Sequence, residues 1–172
     1  MRVRIATTID LAALHPVIER AYRGDTARQG WTFESDLLDG PRTDIASLDA
    51  ILADPRQRLL IALDGDAPLG CVNIVDMGEG RAYLGLLCID PLRQAAGLGR
   101  ELIAAAEAQA AVLFGAQMME MTVIDRRPEL IAYYVRRGYT LTGELRPFPI
   151  PLDPPYEMVV LAKALATRDD LG

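Results

Sequence analysis

Between Leu87 and Arg100 the chain passes from an apolar run, Leu87-Cys88-Ile89, through Asp90-Pro91-Leu92-Arg93 into Gln94-Ala95-Ala96-Gly97-Leu98-Gly99-Arg100, and then into a long helical stretch. A strand that turns into a helix through a glycine-bearing loop leaves several backbone N–H groups without intrahelical partners, aimed outward at the helix N-terminus. The helix dipole adds partial positive charge at the same place. The segment therefore predicts a strand–loop–helix unit and, at its turn, a site for a phosphate or pyrophosphate.

Spacing narrows the ligand. A P-loop ends in Gly-Lys-Ser/Thr, whereas Gly97 is followed by Leu98-Gly99-Arg100. A dinucleotide fingerprint carries a third Gly or Ala three residues after its second glycine, and that position is Leu102. Asp125, acidic and just past the next apolar run, keeps a nucleotide-binding oxidoreductase as a lesser reading.

The whole chain sets further bounds. Its 172 residues predict one domain, 1–172, large enough for a core without staples. No apolar run reaches the roughly 18 residues of a transmembrane helix. The start, Met1-Arg2-Val3-Arg4-Ile5, lacks the apolar region of a signal peptide, so the expected location is cytoplasmic. Cys71 and Cys88 sit in apolar runs and are expected to be reduced core residues. The only histidine, His15, precedes Pro16 in the first helical region and reads as structural. Neither a metal site nor a Ser–His or Cys–His device is expected. A net charge of −6 argues against nucleic acid as a partner. Lys163 is the only lysine. Arginine suits planar phosphate recognition, and Arg93, Arg100, Arg136 and Arg137 lie near the candidate ligand segments.

Patterning predicts the order β-α-α-β-β-β-α-β-α-β-β. Strands are expected over 3–6, 59–63, 69–75, 81–89, 118–124, 139–145 and 157–164. Helices are expected over 10–23 with Asp10 as N-cap and a kink or restart at Pro16, from Thr43 or Asp44 to the residue before Asp54-Pro55, over 97–113, and over 129–137. In the 97–113 helix, 3.6 periodicity places Leu98, Leu102, Ala105, Ala106 and Leu113 on one face, with Gln109 among them. Asp64-Gly65-Asp66 and 77–80 are turns, so three consecutive strands form an antiparallel meander. The strand over 118–124 follows a helix and should pair parallel to 81–89 through a right-handed crossover. A doubly wound fold would alternate strands and helices from the start.

The run Ile89-Asp90-Pro91 followed by Gln94-Ala95-Ala96-Gly97-Leu98-Gly99 resembles the acyl-CoA loop of the GNAT N-acetyltransferase superfamily, Gln/Arg-x-x-Gly-x-Gly/Ala after a strand ending in apolar-x-Pro. Ala95 stands where a glycine is common. The element order is also that of the GNAT fold, so the resemblance covers nearly the whole chain. It implies an α/β fold of the α+β type: a mixed central sheet with an N-terminal antiparallel meander, a splayed parallel pair and flanking helices.

The resemblance also implies chemistry. Acetyl-CoA would be the co-substrate, with no metal. Gln94, Ala95, Ala96, Gly97, Leu98, Gly99 and Arg100 would hold its pyrophosphate, and Leu87, Cys88 and Ile89 would pair with its pantetheine arm and offer an oxyanion donor. The family's leaving-group acid is a tyrosine in Tyr-x-x-x-Gly-Phe/Tyr, here Tyr134-Val135-Arg136-Arg137-Gly138-Tyr139. The Asn often found seven residues earlier is Arg127 in this chain. Glu34 is the expected base, with Asp36, Asp125 and a water relay to a distant carboxylate as further candidates. Trp31, Phe33 and Asp36 would line the acceptor side. The acceptor would be a small amine or a protein amino group, arriving as a cation drawn by Glu34 and Asp36. Nucleic acid and membrane are not expected partners, and a homodimer is left open. A non-catalytic acyl-CoA sensor is the main alternative to an enzyme.

Overall fold

Strand alternation sorts the apolar side chains onto two sheet faces. In the second strand Leu59, Ile61 and Leu63 join one buried cluster, and Leu60 and Ala62 join the other. The structure is a computed structural model that describes residues 1–23, 42–93, 97–149, 151–166 and 170. Its strands are β1 (Arg2–Ile5), β2 (Gln57–Asp64), β3 (Ala67–Gly78), β4 (Arg81–Ile89), β5 (Met118–Ile124), β6 (Thr140–Pro147) and β7 (Glu157–Ala164). Its helices are α1 (Leu11–Tyr22), α2 (Ile45–Ala53), α3 (Leu98–Phe114) and α4 (Pro128–Arg136). The seven strands form one sheet in the order β1-β2-β3-β4-β5-β7-β6. Helices α1 and α2 cover one face through Leu14, Ile18 and Leu48, and α3 and α4 cover the other through Leu102, Ile103 and Tyr134. This is the mixed sheet with an antiparallel meander that the sequence predicts.

Local departures have physical reasons. Asp10 does not cap α1 with its side chain. Its carboxylate instead accepts hydrogen bonds from the Thr7 N–H and from Arg4, closing a 3-10 turn over Thr8–Asp10 that delivers the chain into the helix. Helix α1 runs through Pro16 without restarting. Asp44 caps α2 as expected, its Oδ1 accepting from the Ser47 N–H at 2.6 Å. The buried stripe of α3 is Gly99, Leu102, Ile103, Ala106 and Ala110. It shares Leu102 and Ala106 with the predicted face, and Leu98 packs against the same core, but it is turned toward Ile103 and Ala110, so Leu113 is exposed and Gln109 lies off the core contact, half-buried. His15 is structural, its Nε2 lying 3.1 Å from the Thr43 carbonyl and joining α1 to the approach of α2.

The pair β4–β5 positions the site. The two strands are parallel, but their ladder covers only Arg81↔Met118, Ala82↔Met119 and Tyr83↔Glu120. Beyond Tyr83 they part, and the rest of β4 has no ladder partner on that side.

Candidate active site

The opening between β4 and β5 is shaped by a bulge. Asn73 pairs with Gly85 and Cys71 with Cys88, so β4 carries one residue more than β3 between these pairs. Leu86 takes up the excess with φ +51°, a left-handed conformation that leucine rarely adopts. The inserted residue reverses the alternation of β4. Before it Ala82 and Leu84 face α3 and α4; after it Leu87 and Ile89 do, while Cys88 turns into the other core. The bulge is braced: the Cys71 thiol lies 3.5 Å from the Leu86 carbonyl, and the Tyr22 hydroxyl donates to the Leu87 carbonyl.

A cleft of about 520 Å³ fills the opening. Its walls include Asn73, Tyr83, Gly85, Leu86 and Leu87 from the meander, Thr122 and Ile124 from β5, and Tyr134 from α4. Tyr134 is 6% exposed, set edge-on between Tyr133 and Tyr139 with centroid separations of 5.4 and 6.1 Å. Tyr139 in turn donates to Glu107, which also pairs with Lys163 at 3.0 Å. Burial, with Glu107 beside it, pushes the Tyr139 hydroxyl far above its ordinary range, so Tyr139 is a fixed neutral donor. The described wall holds Arg23, Arg42 and Arg127 and no Asp or Glu. A wider groove outside α3, about 770 Å³, is lined mainly by alanines and holds none of the predicted site residues.

At the far end of β4 the glycine loop opens α3. Gly97 stands at its N-cap with φ +94°, and Gly99 is buried at its first turn. Asp90 anchors the loop's start, accepting from Arg20 at 2.7 Å and from the Leu92 N–H at 3.1 Å. The residues present fit a pyrophosphate-bearing thioester: a positive-φ glycine at a helix N-terminus, and an apolar strand beside it whose ladder is open on one side.

The structure brings Leu87 and Tyr134 into one cleft. Cys88 and Ile89 continue β4 with their side chains packed in the two cores, so they can offer only backbone groups. Gly97, Leu98, Gly99 and Arg100 stand at the head of α3. Gln94, Ala95 and Ala96, and likewise Trp31, Phe33, Glu34 and Asp36, lie outside the described residues. Asp125 is exposed and not part of the cleft wall. Arg93 is committed to an ion pair with Asp64, and Arg137 stacks on the Tyr133 ring at 5.0 Å. Cys71 and Cys88 are buried free thiols 3.8 Å apart, as expected. Among the described residues no group of metal-ligating side chains occurs. Sequence reasoning missed the Leu86 bulge, the Tyr22 brace and Asn73. Gly85, set opposite a polar strand residue, is the one local signal that could have pointed to the bulge.

No curated protein matches the chain. Solved structures share its fold at low identity. A protein from Streptococcus mutans UA159, smu.2055, superposes with a TM-score of 0.74 at 12% identity over 96% of this chain and 100% of its own. The ribosomal-protein alanine N-acetyltransferase from Escherichia coli gives 0.73 at 16% over 96% and 94%. An aminoglycoside 6′-N-acetyltransferase complexed with coenzyme A gives 0.72 at 14% over 98% and 99%. The model of the acetyltransferase (GNAT) family matches residues 20–139, a span that runs from the end of α1 through the bulge, the glycine loop and Tyr134 to the start of β6. The chain therefore belongs to the GNAT acetyltransferase family.

Proposed function

We propose that the protein is an acetyl-CoA-dependent N-acetyltransferase acting on a primary amine by direct transfer, with Tyr134 as general acid. The observation that carries this reading is the meeting of the unpaired side of β4 and the buried Tyr134 in one cleft. Acetyl-CoA, when bound, supplies the acetyl group as an activated thioester. Gln94, Ala95, Ala96, Gly97, Leu98, Gly99 and Arg100 would hold its pyrophosphate at the head of α3, largely through backbone N–H groups. Backbone groups of Leu87, Cys88 and Ile89 would hold its arm along β4 and donate to the acetyl oxygen.

The acceptor nitrogen forms the new N–C bond as the C–S bond breaks. Tyr134 holds a proton at Oη for the departing sulfur. The proton shed by the nitrogen goes to a carboxylate of the acceptor segment, for which Glu34 is the candidate, or to water. Trp31, Phe33 and Asp36 would line the acceptor side. The acceptor is a small amine or a protein amino group. A single chain or a homodimer is compatible with this chemistry, and a cytoplasmic setting with ready acetyl-CoA suits it.

The test is thiol release from acetyl-CoA in the presence of a polyamine, an aminoglycoside, a free amino acid and a peptide with a free N-terminus. Amine-dependent release supports the enzyme. Tight acetyl-CoA binding with no release for any acceptor would favour a sensor.

A further inference from the structure

Asn73 is 7% exposed and lines the cleft, yet among the described residues no hydrogen-bond donor reaches its Oδ1. A buried acceptor left unmade costs about 1–3 kcal/mol, so such an atom invites a functional account. Its direction is not arbitrary. Asp54 offers only acceptor oxygens, and Gln57 Nε2 donates to its Oδ2 at 2.9 Å. That contact forces Gln57 Oε1 outward, where it accepts from Asn73 Nδ2 at 2.7 Å. With its amino group so engaged, the Asn73 amide must turn Oδ1 away from Gln57. Gly85 stands directly opposite Asn73 in the β3–β4 ladder. It has no side chain to fill the space above it, and a Cβ there would come 3.1 Å from the Tyr83 ring. The result is a notch with one oriented acceptor oxygen, one residue before the Leu86 bulge.

We propose that Asn73 Oδ1 receives an N–H of the acceptor amine and so orients the nitrogen toward the acetyl group, with Gln57 and Asp54 as positioning residues behind it. This rests on the reading of the cleft as an acetyl-transfer site. A neutral amide oxygen can hold an amine that has already lost its extra proton, leaving the nitrogen lone pair directed away from Asn73. The ligand class is a primary amine, which has one N–H for Asn73 and another to shed when the amide forms. A tertiary amine has neither.

The experiment compares wild type, Asn73→Leu and Gln57→Leu with saturating acetyl-CoA and whichever amine of the panel turns over best. Acetyl-CoA affinity and Tm are measured alongside. Asn73→Leu is expected to lower kcat/KM for the amine about 10- to 100-fold. Its acetyl-CoA affinity should stay within about twofold and its Tm should change little, because the unpaired buried oxygen is removed while Gln57 Oε1 loses its donor. Gln57→Leu keeps Asn73 but frees its amide to turn, and kcat/KM should fall about threefold to tenfold, mainly through KM. A purely structural role would lower Tm and leave the amine kinetics alone. Folded Asn73→Leu with kcat/KM near wild type overturns the proposal while the enzyme reading stands. If Asn73→Leu does not fold, unchanged amine kinetics in Gln57→Leu overturns it. A wild type that binds acetyl-CoA but accepts no amine overturns both.

Discussion

Tyr83 and Thr122 bring their hydroxyl oxygens within 2.6 Å of each other, joining β4 to β5 where their ladder ends. This contact is a strut at the apex of the cleft. Tyr83→Phe removes it and keeps the ring that closes over Gly85. A hydrogen bond is worth about 1 kcal/mol net, so a denaturant midpoint should show a loss of about that size or less for this half-buried pair. Acetyl-CoA affinity, read by calorimetry, should weaken by about threefold to fivefold as the angle of the opening relaxes. Unchanged affinity would show that the strut does not set the width of the cleft.

Tyr134→Phe tests the acid. The ring packs between Tyr133 and Tyr139, and that packing survives the substitution. General acid catalysis contributes about 100- to 10,000-fold. A thiol leaving group with a pKa near 8.5 needs the least help, so kcat should fall about 100-fold with acetyl-CoA still bound. Full turnover at neutral pH would remove Tyr134 from the mechanism.

Two glycines answer to different constraints. At Gly97, φ +94° is the constraint, since among the described residues a Cβ would meet only Arg100 Nη2 at 3.5 Å. Gly97→Val should fold with a loss of about 1–2 kcal/mol and lose acetyl-CoA affinity. At Gly70 a Cβ would lie 2.0 Å from the Cys88 carbonyl oxygen, a backbone atom that cannot swing aside. Gly70→Ala should cost upwards of about 3 kcal/mol and disturb β4 beside the bulge. Thermal melts of the two variants check the order: mild for Gly97→Val, severe for Gly70→Ala.

The Arg4–Asp10 pair gives a pH signature. The Arg4 guanidinium and the Thr7 N–H hold the Asp10 carboxyl at about 2. A depressed folded pKa stabilises fully above the unfolded value near 3.9, and the contribution is lost as pH falls toward 2. For a pair near the surface it amounts to about 1 kcal/mol or less. Wild type should exceed Asp10→Asn in urea stability at pH 5, with the gap closing by pH 2. A constant gap would assign the difference to the 3-10 turn and not to charge.

Much of this was legible in the chain. Glycine punctuation and apolar runs marked β4, β5 and β7 at the residues where they occur, and Tyr134 stood out by its distance from Gly138. What escaped depends on contacts between segments. Leu86 carries the bulge with no glycine of its own, because the strain is held by Tyr22 from α1 and Cys71 from β3. Asn73 reads as one polar residue in an apolar strand until Gln57, sixteen residues away, fixes its amide. The face of α3 is legible only in part: Leu102 and Ala106 are buried as the periodicity predicts, but Gly99, Ile103 and Ala110 make the core contact that Leu113 does not.

The place of β7 between β5 and β6 has a consequence for the order of assembly. β6 precedes β7 along the chain but has no other sheet neighbour, so it stays unpaired until β7 has emerged and docked. The meander β2–β4 uses contacts close in sequence and can form while the rest is still being synthesised. The far wall of the cleft, with Met158 on β7 and Phe148 just past β6, comes last. A nascent chain can therefore carry a finished glycine loop and bulge well before it has an enclosed place for an acceptor.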